Sequence, residues 1–271
     1  MEAAGGEVSA AGSIRPWRLI ETGAEDGAWN MAVDRAILRA RDEELVPPTL
    51  RLYGWRRPTV SLGRFQPAEH VDAAACRELG VDVVRRPTGG RGVLHDAELT
   101  YAVVAGRADG VPSGTAESYA YLCEALAAAY RTLGVEADLT SRNRGDRDSA
   151  SCYLHATRAD LSIGAAKLSG SAQVWMRDTV LQHGSFVVAR DVEREARVFG
   201  LSRDATERLR ATTRTLEELM GAAPTAQELR EAVIGGFERS LGVTFEAGEL
   251  TATEVEWAAG WAAESRVDAS T

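Results

Sequence analysis

The stretch from Arg85 to Tyr101, RRPTGGRGVLHDAELTY, constrains this chain more than any other. The preceding VDVVR and the following Leu99–Ala105 are rich in β-branched and apolar residues and read as strands. Between them Pro87 fixes its own φ and pushes Arg86 toward an extended conformation. Gly89, Gly90 and Gly92 let the backbone approach a ligand closely and offer bare N–H groups to an anion or a polarised carbonyl. Arg85, Arg86 and Arg91 flank these glycines, as a loop that holds something negative or electron-rich requires. The same composition also describes a basic hairpin turn. No G-x-x-x-x-G-K-[ST] occurs, so this is not a Walker A loop, and no G-x-G-x-x-G opens a helix here.

The chain has 271 residues, 45% hydrophobic and 26% charged, which suits a single globular domain with a sizeable core. The expected domain is 15–266, with a disordered tail at 1–14 and a short tail at 267–271. No apolar run approaches ~20 residues, so no membrane-spanning helix is expected. The opening MEAAGGEVSAAGS has no basic residue and does not fit a signal peptide. Cys76, Cys123 and Cys152 lack paired spacing, which favours a reducing cytoplasm. A net charge of −9 argues against a general nucleic-acid surface. The basic residues comprise 30 arginines and one lysine, Lys167. A solitary lysine is either a compositional remnant or a residue kept for its compact amine.

Trp17–Glu21 reads as a strand, and Trp29, Ala32, Val33, Ala36, Ile37 and Ala40 have helical spacing that stops at Pro47–Pro48. Thr49–Trp55 and Thr59–Gly63 are expected to pair around Arg56–Arg57–Pro58. Pro67–Leu79 is expected as a helix closed by Gly80, and Thr115–Leu133 as a helix closed by Gly134. Cys76 and Cys123 fall on apolar helix faces and read as core. After a strand at Val135–Leu139, Thr140–Ser151 has no large apolar residue and reads as an exposed loop. Ala159–Gly164, Lys167–Trp175 and Thr179–Val188 suggest an antiparallel meander. The remainder is mostly helical, with capping boxes at Thr225/Glu228 and Thr251/Glu254. The mixture lacks regular βαβ alternation, so the class is α+β.

Cys152 stands where the polar loop meets the body of the fold, the position of a reactive thiol. Lys167 follows 15 residues later, and a turn between two strands would carry its amine to the sulfur. An ammonium beside a thiol favours the thiolate. The pairing suits covalent acyl transfer, in which the thiolate takes an acyl group from a thioester and passes it to an amine. A Cys152–His155 pair is disfavoured, because on a strand that spacing points the side chains to opposite faces. No metal site is expected, since Cys152, His155 and His183 lack a second closely spaced pair. His183 and Gln182 read equally as pocket-facing strand residues or as satisfied polar groups, and His95 as a residue that orders the glycine loop.

As a whole pattern, Arg85, Arg86, Thr88, Gly89, Gly90 and Arg91 with His95 and Asp96 resemble the signature loop of the biotin/lipoate protein ligase superfamily. GAAKLSGSAQ and LQHGS resemble the lysine motif and downstream strand of that family, although GAAK replaces the commoner G(K/R)K and Tyr153 follows the cysteine. The HDAELTY continuation resembles the octanoyltransferase branch. The resemblance spans Trp17 to Arg266 and implies a mixed, largely antiparallel sheet with flanking helices. It implies Cys152 and Lys167 as catalytic residues. It places Arg85, Arg86, Thr88, Gly89, Gly90, Arg91, His95, Gly170, Ser171 and His183 in acyl or substrate binding, and small residues Ala165, Ala166, Gly170 and Ala172 along an acyl tunnel. The implied reaction moves octanoyl from an acyl-carrier-protein thioester to a lysine of a lipoyl domain, such as glycine cleavage H protein or an E2 subunit, without a cofactor. The alternatives are an ATP-dependent lipoate ligase, in which Cys152 is incidental, an amidotransferase between lipoyl domains, and a non-catalytic carrier-binding module. Arg142, Arg144, Arg147 and Arg158 are candidates to receive an acidic carrier, or belong to an ordinary solvated loop with Asp146 and Asp148.

Overall fold

The computed structural model describes residues 16–139, 144–145, 149–156 and 160–267, with the backbone alone for 144–145 and 155–156. In chain order the elements are β1 (Trp17–Glu25), α1 (Gly27–Asp42), β2 (Thr49–Trp55), β3 (Thr59–Leu62), α2 (Ala73–Leu79), β4 (Asp82–Arg85), β5 (Val93–His95) and β6 (Glu98–Gly106). Next come α3 (Thr115–Thr132), β7 (Asp138–Leu139), β8 (Arg144–Gly145), β9 (His155–Ala156), β10 (Leu161–Ile163), β11 (Ala166–Ser169), β12 (Ser171–Met176) and β13 (Thr179–Val187). The chain ends with α4 (Val192–Val198), α5 (Arg203–Thr212), α6 (Leu216–Met220), α7 (Ala226–Leu241), β14 (Phe245–Ala247) and α8 (Ala252–Ser265).

The main sheet has six strands in the order β12-β13-β6-β2-β1-β14, antiparallel except that β1 runs parallel to both β2 and β14. Side-chain alternation along the strands builds a layer on each face. Leu50, Leu52, Val103 and Phe186 pack with Leu122 and Leu126 of α3 and Phe237 of α7. Tyr53, Ala102, Val104 and Leu181 pack against α1, where Ala28, Ala32, Ala36 and Ala40 keep the helix close to the sheet, and Ala258 of α8 joins them. The mixed, largely antiparallel sheet with flanking helices is the expected α+β architecture.

A buried ion pair fixes where α8 begins. Glu254 closes a capping box with Thr251 and also accepts from both terminal nitrogens of Arg18, at 2.9 and 2.6 Å. The Thr225/Glu228 box opens α7 as expected, and Thr215/Glu218 forms a third at α6.

Several local expectations change. β2 and β3 do not pair: both edges of β2 are already taken by β1 and β6, so β3 joins β4 and β5 in a separate three-stranded sheet. The helix expected over Pro67–Leu79 is split. Ala68–His70 forms one 3₁₀ turn, Val71 is extended and buried, and Asp72 caps α2 by accepting from the Ala75 N–H at 2.9 Å. The strand expected at Val135–Leu139 is reduced to β7. The meander is broken at Gly170, because β11 belongs to the β11-β10-β7 sheet while β12 pairs with β13 in the main sheet.

Arg51 is fully buried in the α1 layer, where a strand pattern would place an apolar residue. It donates to Asp34 Oδ1 at 2.7 Å and to Asn30 Oδ1 at 2.6 Å, and its guanidinium lies over Tyr53. Breaking a buried pair by removing one partner leaves an uncompensated charge, so Arg51→Met should destabilise the fold by about 3–5 kcal/mol, measured by urea denaturation.

Candidate active site

Ser151 forms a bridge with Gly92, and Cys152–Leu154 is a single 3₁₀ turn rather than a strand. The Cys152 N–H donates to the Gly92 carbonyl at 2.9 Å. A Cβ on Gly92 would stand 2.6 Å from the Phe199 ring, so this close approach requires glycine. Strand alternation therefore does not govern Cys152, and the His155 side chain lies outside the described residues. Lys167 reaches the sulfur from the buried strand β11, not from a turn. Its Nζ is 3.5 Å from Cys152 Sγ, 3.0 Å from the Cys152 carbonyl and 3.0 Å from Asp160 Oδ2. Burial works against the ammonium, but the facing charges of Cys152 and Asp160 outweigh it, and the Lys167 pKa lies above its ordinary value. The amine is thus a permanent cation at neutral pH and not a proton acceptor.

Of this trio, Cys152 lines a narrow cleft, and Lys167 and Asp160 are off its lining. Cys152, Gly170, Ser171 and Ala172 stand with Met31, Tyr53, Trp55 and Val93 on a lining that also carries Arg86, His95 and His183. A Cβ on Gly170 would lie 3.4 Å from Cys152 Sγ and 3.5 Å from Lys167 Cε, in ordinary contact with both, so the backbone here runs directly beside the thiol and the lysine stem.

Arg86 organises the polar side. Its Nε donates to Thr88 Oγ1, NH1 to the Ser61 carbonyl, and NH2 to the carbonyls of Gly89 and Arg91, at 3.1, 2.8, 2.7 and 2.8 Å. Burial pushes its pKa down to about 10, with the Cys152 charge opposing, which leaves it cationic at neutral pH. Thr88 Oγ1 contacts His183 Nε2 at 2.7 Å, and His183 Nδ1 contacts Asp34 Oδ2 at 2.9 Å. Burial lowers the His183 pKa despite Asp34. The Asp34 pKa is also lowered, because His183 and Arg51 override the effect of burial. Neutral His183 therefore donates from Nδ1 to Asp34 and accepts from the Thr88 hydroxyl at Nε2. A parallel chain runs from Ser61 Oγ to His95 Nε2 at 2.8 Å and from His95 Nδ1 to Glu98 at 2.7 Å. The His95 ring stacks on Trp55 at 4.1 Å. Burial would raise the Glu98 pKa, but His95, Thr100 and Ser185 more than reverse this.

The structure brings Cys152, Lys167, Arg86, His95, Gly170, Ser171 and His183 together, with Thr88 bonded behind His183. Arg85 turns away and donates to the carbonyls of Gly63, Arg64 and Gln66. Gly89, Gly90 and Arg91 are not on the cleft lining; Gly90 and Arg91 border a surface groove with Phe65 and Ser149. His95 reaches the glycine loop only through Ser61 and Arg86, and Asp96 leaves it to pair with Arg194 at the surface. Gln182 faces the α3 layer and donates to Tyr101 Oη at 3.1 Å, a satisfied polar group. Ala165 is exposed and Ala166 is off the lining, whereas Gly170 and Ala172 are on it. Arg142, Arg147 and Arg158 lie outside the described residues, as does the side chain of Arg144. Asp160, Asp34, Glu98 and Ser61 were not singled out from the sequence. For Asp160 a signal existed, because a buried lysine requires an acidic partner and this one lies between Cys152 and Lys167.

The depressed His183 pKa has a consequence for stability. Below its unfolded value of 6.5 the unfolded chain binds a proton that the folded protein refuses, so stability is full above 6.5 and falls as pH drops through it. The urea midpoint should decline between pH 7 and pH 5, and this decline should be shallower in His183→Gln.

The description lipoyl protein ligase A/B catalytic domain belongs to a family model that matches residues 26–238. Octanoyltransferase LipM of Kyrpidia tusciae is 41% identical over 261 residues, covering 90% of this chain and 94% of the relative. Octanoyltransferase LipM of Symbiobacterium thermophilum is 40% identical, with 88% and 91% covered. The crystal structure of lipoate-protein ligase A bound with ATP superposes with a TM-score of 0.75 at 26% identity, over 94% of this chain and 96% of that one. A bi-partite lipoate protein ligase from Thermoplasma acidophilum, solved with its E2 lipoyl domain, gives 0.75 at 24% identity over 94% of each chain, a likeness of fold alone. No described helix is long and apolar enough to cross a membrane. With its cysteine on the lining of a narrow cleft and its lysine beside that sulfur, the chain belongs to the lipoyl protein ligase A/B catalytic domain family, alongside its octanoyltransferase relatives.

Proposed function

We propose that this chain is a cytoplasmic octanoyltransferase of lipoate assembly that works through an acyl-cysteine. The observation that carries this reading is the Lys167 ammonium, 3.5 Å from the Sγ of Cys152, which lines the cleft. The Cys152 thiolate attacks the carbonyl carbon of an octanoyl–carrier-protein thioester and the carrier thiolate leaves. The acyl chain occupies the cleft beside Met31, Tyr53 and Trp55. A lysine amine of a lipoyl domain, in glycine cleavage H protein or an E2 subunit, then attacks the new thioester and expels the Cys152 sulfur. The amine loses one proton and the released carrier thiolate gains one, so none is consumed overall. Lys167 offsets the charge of the thiolate, Asp160 holds the ammonium in place, and the Arg86-clamped glycine loop with His95 and His183 shapes the polar side of the cleft.

The fold of an ATP-bound lipoate ligase at 26% identity keeps a second reading in view, in which ATP activates the acid and the thiol has no step to perform. Incubation with octanoyl carrier alone should add one octanoyl group to the intact mass, reversibly with hydroxylamine and not in Cys152→Ser. Pyrophosphate exchange with ATP and octanoate or lipoate should be silent. Exchange, together with an active Cys152→Ser, would transfer the assignment to the ligase. A further expectation concerns the ammonium: Lys167→Ala should slow iodoacetamide alkylation of Cys152 at neutral pH by about tenfold, because no cation then faces the sulfur. An unchanged rate would remove Lys167 from this role.

A further inference from the structure

Glu195 lies in the first turn of α4, is 1% exposed, and has no part in capping the helix, since Asp191 accepts from the Arg194 N–H. One of its oxygens bonds Ser151, the residue before Cys152, and the other faces Arg190, whose guanidinium lies over the ring of Tyr153, the residue after it. Oε1 accepts from the Ser151 hydroxyl at 2.7 Å, and Oε2 stands 3.6 Å from Arg190 Nε. Ser151 Oγ in turn accepts from the Tyr153 N–H at 3.3 Å. The Arg190 guanidinium lies 3.6 Å above the centre of the Tyr153 ring. Its NH1 and NH2 are buried without a hydrogen-bond partner among the described residues, so the carboxylate and the ring face are what hold it.

Such a cluster is a poor way to gain stability. A buried guanidinium with unmet donors is costly, and an apolar pair of the same volume generally does as well or better. What the cluster supplies is orientation. A single 3₁₀ turn has weak internal hydrogen bonding and takes its direction from whatever ties it down. Cys152 itself is tied by the Gly92 carbonyl to its N–H and by Lys167 Nζ to its carbonyl. Both of its neighbours are tied to α4 through one carboxylate.

We propose that Glu195 is a positioning residue for the nucleophile, acting through Ser151 and, with Arg190, through Tyr153 to aim Cys152 Sγ at Lys167 and the cleft. The inference rests on the reading of Cys152 as the acylated thiol. Glu195→Ala and Ser151→Ala should slow single-turnover acylation from octanoyl carrier by about 10- to 100-fold at saturation, the scale on which a misplaced reacting group loses rate. The carrier concentration that gives half-saturation should be unchanged. Glu195→Gln keeps an acceptor for the Ser151 hydroxyl and should recover most of the rate. The double variant Ser151→Ala/Glu195→Ala should lose less than the two single losses combined, because both break the Ser151–Glu195 tie. Urea midpoints establish that each variant is folded. If Glu195→Ala does not fold, Ser151→Ala, which leaves the Glu195–Arg190 pair in place, carries the test. Folded variants that acylate at the wild-type rate would overturn the proposal, as would an additive loss in the double variant. Wild-type protein that takes up no octanoyl group would defeat the nucleophile reading instead. The positioning role is then decided by iodoacetamide, which should react more slowly with Cys152 in Ser151→Ala, while an equal rate would overturn it.

Discussion

The guanidinium of Arg86 is the interaction on which the site depends. Its donors are spent on the Ser61 and Thr88 side chains and on the backbone of Ser61, Gly89 and Arg91. One cation thus shapes the glycine loop and starts both histidine chains. Each chain ends on a buried carboxylate, Asp34 or Glu98, whose charge the rest of its contacts stabilise. The loop is consequently formed before any substrate arrives, which lowers the ordering cost of binding. Gly90, at φ 93°, and Gly63, where a Cβ would lie 2.0 Å from the Gly90 carbonyl, let the loop close around the guanidinium.

The strand periodicities, the caps and the RRPTGG segment were legible because each is a local pattern with a local cause. The pairing of Cys152 with Lys167 was legible for a different reason: the chain uses lysine once, and the one lysine falls beside a cysteine at the edge of a polar loop. Pairing between β2 and β3 was not legible, since it depends on whether the edges of β2 are free, and β1 and β6 take them. Buried charge was missed for the same reason. Arg51 and Asp34 are 17 residues apart, and Ser151 and Glu195 are 44 apart, so their partnership exists only after the strands and helices are placed. Arg85 and Arg86 show the limit most clearly. They are adjacent and chemically identical, yet the extended backbone before Pro87 sends one to the rim of a neighbouring turn and the other into the centre of the loop.

The division of labour around the thiol follows from charge. Lys167 stands between Asp160 and Cys152, with its ammonium held by the carboxylate on one side and facing the sulfur on the other. The histidines line the same cleft with both ring nitrogens engaged. The sulfur thereby faces a fixed cation, while the imidazoles are held in structural bonds.

The switch of sheets at Gly170 gives the site a property of a different kind. Gly92, Cys152, Lys167 and Gly170 converge from separate elements, and α1, whose Met31 lines the cleft, is covered by α8 near the end of the chain. The Arg18–Glu254 pair that sets α8 in place spans 236 residues of sequence. A nascent chain emerging from the ribosome can build its early strands, but it cannot complete this packing until α8 has been made. The thiol therefore acquires its finished surroundings only after α8 has been made, long after its own strand neighbours have emerged.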